Sequence, residues 1–136
     1  ALVAGGNEAC VEAMRQSGLA LGVAMQISSE IAGLSATDSA NEDVTNKKKM
    51  LPLVKAFESA SVSQRRQLGE VYFKRVLEPS DLPKVFEMLD DLGAIDASSE
   101  VMKKHVLSAE MALESSGLSG KNRERLTEFF GSLLEF

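Results

Sequence analysis

Cysteine is almost missing from this chain: Cys10 is the single one among 136 residues, so no internal disulfide framework can hold the fold together. A lone thiol suits a reducing compartment, and the cytoplasm is the expected location. Basic residues are outnumbered, 15 Lys and Arg against 20 Asp and Glu, giving a formal net charge of -5. That balance argues against nucleic acid as the main partner, because phosphate binding is carried by Lys and Arg. No apolar run is long enough to cross a bilayer, so no transmembrane segment is expected. The only histidine is His105. A zinc site, a Cys-His pair or a Ser-His-Asp triad therefore has no material within this chain. Glycine-rich phosphate loops of the common spacings are missing as well.

What remains has the make-up of a soluble globular protein, with 44% hydrophobic and 26% charged residues. A single helical domain over 1–136 is large enough to bury a core without disulfides or a structural metal. No segment alternates strictly enough for a half-buried strand, and no internal repeat is present. The expected fold is all-α, a bundle of about seven helices. Asn7 is a good N-cap for a helix over 7–17, and Gly18 then leads into the stretch 19–33. The composition shifts to small, polar and acidic residues over 34–47, which reads as a polar surface loop. Pro52 suits the first turn of a helix over 52–59, and Ser61 with Gln64 is a capping-box signal for a helix over 62–77. Further helices are expected from Ser80 to a stop at Gly93, over 94–116, and from a cap at Ser119 to the end. The first residues, ALVAGG, read like the middle of a longer polypeptide, and a fragment is expected.

The stretch 19–33, LALGVAMQISSEIAG, is apolar on nearly every side, as in a helix at the middle of a protein. Gln26, Ser29, Glu30 and Gly33 fall on one helical face and form a narrow polar seam. Polar groups on such a helix must meet a partner, water or a ligand. A second notable stretch is DVTNKKKMLPL, 43–53, whose plain reading is a solvated lysine run ahead of a helix. Other features have structural explanations. Cys10 and His105 sit on helical faces without partner groups for chemistry, and Asp90 with Asp91 ends a helix as a solvated acidic pair.

Taken together, the two stretches resemble the C-terminal half of the all-trans polyprenyl diphosphate synthases. That family's phrase FQIxDDxxD is followed by a loop and a DLxxGKxTLP stretch. Here Met25, Gln26 and Ile27 stand at the FQI positions, while Ser29, Glu30 and Gly33 stand where the three aspartates would be. Asp43, Lys48, Leu51 and Pro52 match the second phrase in register, with Lys47 in place of its Gly and Met50 in place of its Thr. The later stretch LDDLGAIDASSEVMKKHVLSAEMAL also resembles the family, in a more generic way.

The resemblance implies an isoprenoid-synthase-type helical bundle around a deep cavity, incomplete here because the family's first aspartate-rich motif lies in the other half. It implies condensation of isopentenyl diphosphate with an allylic diphosphate, assisted by magnesium. By the same likeness Lys48 and Gln26 would bind diphosphate, Glu30 and Ser29 would stand at a degenerate metal motif, and Asp43 would support the site. Only Glu30 keeps a carboxylate among the three acidic positions, so weak or absent magnesium binding is expected. The chain alone is not expected to turn over. Two rival readings keep the family: a non-catalytic subunit or paralogue of a heteromeric synthase, and a prenyl transferase acting on a peptide or other acceptor. An unrelated helical interaction domain is the third rival. Homo- or hetero-oligomerisation is expected, since helix faces that would cover a missing half seek partners.

Overall fold

The computed structural model describes residues 7–35, residue 44 and residues 48–134. Among these the chain is all-α, with six α-helices: α1 (Glu8–Ser35), α2 (Leu51–Ser59), α3 (Val62–Tyr72), α4 (Leu82–Asp91), α5 (Ala94–Glu114) and α6 (Gly120–Leu134). A short 3-10 turn, Pro79–Asp81, leads into α4. None of the described helices is long and apolar enough to cross a membrane.

The helix expected over 7–17 and the stretch 19–33 are one continuous helix, α1. Glycine inside a helix costs only about 1 kcal/mol relative to alanine. Burial of Ala13, Ser17, Leu21, Ala24 and Ile27 along one side of α1 outweighs that cost at Gly18 and Gly22. Nor is this helix buried all round. Leu19 is 59% exposed and Val23 43% exposed, so the outer side of α1 carries apolar as well as polar groups.

Most helix starts follow the expected signals. The Asn7 side chain accepts from the Cys10 backbone N–H at 2.8 Å, and Ser61 forms a complete capping box with Gln64. Gly93 ends the turn after α4 at φ 62°, a left-handed conformation that suits a residue without Cβ. The α4 cap differs, because Asp81 and not Ser80 precedes the helix. The chain also leaves α3 earlier than expected, at Tyr72. Leu77 is buried beyond that point, and Pro79 disfavours helix at Glu78.

The connection from α3 to α4 is fastened by Asp81. Its carboxylate accepts from Lys74 Nζ at 2.6 Å and from the Glu78 backbone N–H at 3.2 Å. The bond from Lys74, then that from Glu78, holds the Asp81 carboxyl below the usual aspartate range. Folding thus favours the ionised form, so this contribution is present above the unfolded pKa and lost as pH falls through the folded one. The difference in urea midpoint between the wild type and Asp81→Asn is expected to shrink from about pH 7 to about pH 2, and salt should shrink it at neutral pH. A difference independent of pH would contradict the ion pair.

The chain forms two compact units. The first comprises the described residues of Ala1–Ser28 and Val101–Phe136. Its core brings Leu21 of α1, Ala109 and Leu113 of α5 and Phe130 of α6 together, with Met14, Met25 and Leu126 packed on them. The Ser17 hydroxyl donates to the Ala109 carbonyl at 2.9 Å, which satisfies a fully buried polar group. The second unit, Ser29–Glu100, has a larger core that includes Leu53, Leu68, Tyr72, Val85 and Leu89. Val44 and Met50 are buried in it. The loop expected over 34–47 starts later than that, because Leu34 is buried in the core and α1 runs on to Ser35; of the remainder only Val44 is among the described residues.

Candidate functional site

The second unit holds the end of the first stretch, from Ser29 on, and the described residues of the second. Met50 precedes α2 in extended conformation and offers no side-chain cap, so the first-turn N–H groups of that helix need acceptors. Pro52 removes one of those donors by having no N–H. Glu30, near the C-terminal end of α1, takes another: its Oε2 accepts from the Leu51 backbone N–H at 2.7 Å. A carboxylate at this position also meets the positive end of the α2 dipole. The bond joins residues 21 apart in sequence and closes the intervening loop.

A second long-range bond holds the same segment from the other side. The Tyr72 hydroxyl, on the last residue of α3, donates to the Lys48 carbonyl at 2.8 Å. Tyr72 is 2% exposed, so its ring is core while its hydroxyl supports the chain just ahead of α2. Lys48 and Lys49 are exposed, and Met50 turns inward to the core. The two bonds therefore hold the backbone of 48–51, the segment that carries the exposed Lys48 and Lys49.

Of the residues singled out by sequence, Glu30 and Lys48 both belong to this unit and both hold the 48–51 segment, one through its side chain and one through its carbonyl. Ser29 is exposed on α1 in the same unit, and Gly33 is half-buried. Gln26 is exposed and belongs to the first unit. Asp43 and Lys47 lie outside the described residues. Sequence reasoning missed Tyr72 as a support for Lys48. The signal available was its place in the apolar stripe of α3, because a buried tyrosine hydroxyl must find a partner.

The described residues do not fit a magnesium site. Glu30 already accepts a backbone N–H, Ser29 offers a neutral hydroxyl, and Gly33 offers no side chain. Among the described residues no group of three or more His, Cys, Asp or Glu is arranged to hold a metal ion. Lys48 and Lys49 are exposed in the segment just ahead of α2, where positive charge and a helix N-terminus together favour an anion.

Glu30→Ala is expected to cost about 1 to 2 kcal/mol of stability, the range for losing a side chain that caps a helix N-terminus. Glu30→Gln keeps an acceptor and should recover part of that loss. Urea denaturation measures the cost, and amide exchange at Leu51 reports the site. Unchanged Leu51 protection in Glu30→Ala would remove the capping role.

No family model, no curated protein and no solved structure matches this chain.

Proposed function

We propose that this chain is the C-terminal part of a polyprenyl-diphosphate-synthase-like prenyltransferase, a protein that condenses isopentenyl diphosphate with an allylic diphosphate. The observation that carries the reading is the bond from Leu51 to Glu30, which joins the QISSE phrase to the KKKMLPL phrase. Those are the two stretches on which the likeness rests. In this reading Lys48 attracts the diphosphate at the surface ahead of α2, and Tyr72 holds the Lys48 backbone in place. Gln26 is assigned to diphosphate binding through the family likeness only.

Calorimetric titration of the chain with inorganic diphosphate, with and without magnesium, tests it. Saturable binding that Lys48→Ala weakens about tenfold supports the reading, since one charge-assisted phosphate contact has that order of worth. No saturable binding up to about 10 mM diphosphate, an affinity too weak for any substrate role, overturns it. Indifference to Lys48→Ala overturns it too.

A second reading is favoured by the same carboxylate. Glu30 is engaged with backbone, and neither Ser29 nor Gly33 brings a charge, as befits a non-catalytic subunit or paralogue of a heteromeric synthase. Elongation assays with isopentenyl diphosphate, an allylic primer and magnesium separate the two. Product from the parent protein without a partner supports the enzyme. Product only when an active synthase is added, at a rate that this chain alters, supports the subunit.

A further inference from the structure

A groove of about 470 Å³ runs along α2 and α3 in the second unit. Leu53, Val54, Phe57 and Phe73 supply its apolar lining, and Lys49 and Arg65 also line it. The Phe57 and Phe73 rings are stacked with centroids 6.0 Å apart, yet Phe73 is 66% exposed. An aromatic pair open to solvent beside an exposed Val54 is the kind of apolar patch that marks an interaction surface. Neither Glu30 nor Lys48 lines this groove, although Lys49 and Tyr72 beside them do.

The charges of the groove narrow the occupant. Lys49 stands just before α2, and the Arg65 guanidinium donates to the Glu58 carbonyl near the C-terminal end of the same helix. The one carboxylate in the lining, Glu58, is paired with Lys55 at 2.7 Å. A chain with net charge -5 thus presents a cation toward each end of an apolar groove. At the rise of an α-helix the two ends lie about 13 Å apart. One small head group cannot meet both, whereas a helix lying in the groove can.

We propose that this groove docks an acidic amphipathic helix of a partner protein, with apolar side chains over Phe57 and Phe73 and acidic residues toward Lys49 and Arg65. Such helices read a groove through anchors spaced along one face, and opposite charges set their register and speed their encounter.

Fluorescence anisotropy tests the proposal on the chain itself. The probe is a labelled helical peptide with leucines along one face and glutamates about nine positions apart, the spacing set by the groove's length. A twin with lysines in place of the glutamates and the amphiphile dodecyl phosphate complete the set. Expected is saturable binding of the acidic peptide with Kd on the order of micromolar, weakened about tenfold by Lys49→Glu and by Phe73→Asp. Lys84→Glu, which changes the same charge in the polar cleft between α3 and α4, should leave binding as it was. Val54→Asp repeats the apolar break on α2 should Phe73→Asp lose its helical circular dichroism. Equal binding of the lysine twin overturns the proposal, as does indifference to Lys49→Glu and the apolar breaks. So does absence of saturable binding below about 1 mM, a strength no specific docking site falls to. Saturation by dodecyl phosphate without binding of the acidic peptide would reassign the groove to an amphiphile.

Discussion

Tyr72→Ala is expected to destabilise the protein by about 3 to 5 kcal/mol, the range for removing a buried aromatic ring. The ring is 2% exposed in the larger core and meets Phe73 edge-on, with centroids 5.6 Å apart. Its hydroxyl adds a separate contribution by donating to the Lys48 carbonyl. Tyr72→Phe keeps the packing and removes only that bond, so about 1 kcal/mol is expected from it. Urea denaturation of the two variants divides ring from hydroxyl. The functional consequence differs as well: Tyr72→Phe frees the chain ahead of α2 without opening the core, and should raise exchange of the 49–51 amides while α4 stays protected. Equal costs for the two variants would mean that the ring contributes nothing, contrary to its burial.

Leu113→Ala is expected to cost about 3 kcal/mol and to loosen α6 first. The first unit places few large side chains at its centre, with Leu21, Leu113 and Phe130 meeting around Ala109. Leu113 is 1% exposed there, so its truncation leaves a cavity that neighbours can fill only in part. Native-state hydrogen exchange should show the protection of α6 falling further than that of α3 in the other unit. Ser17 adds a check within the same unit. Its buried hydroxyl bond to the Ala109 carbonyl loses its partner in Ser17→Ala, at a smaller expected cost of about 1 kcal/mol. An exchange pattern in Leu113→Ala that spared α6 would contradict the shared core.

The helix signals that could be read in advance are those whose physics is local. Ser61 and Gln64 satisfy each other's backbone donors within one turn, and Asn7 meets the Cys10 N–H three residues on. Gly93 is similar, since the left-handed turn depends on the residue that adopts it. The continuity of α1 was not legible. A glycine inside a helix and a glycine at its end look alike until burial along 13–27 is known. The end of α3 was hidden for the same reason, because Val76 continues the apolar stripe of Leu68, Val71 and Tyr72 yet is 69% exposed on a non-helical segment. Of the candidate site, Glu30 and Lys48 were legible as residue types. Their bonds to Leu51 and Tyr72 were not, because each joins positions more than 20 residues apart.

By itself, the sequence determined the helical class and the caps at Asn7, Ser61 and Gly93, which follow from composition or from contacts within a turn. The tertiary structure alone decided three things: that Glu30 caps α2, that Tyr72 fastens Lys48, and that Phe57 and Phe73 stack into an open groove flanked by cations. The physical reason is the same in each case. A side chain's chemistry depends on what packing brings within bonding distance, and spacing along the chain carries that information only for near neighbours.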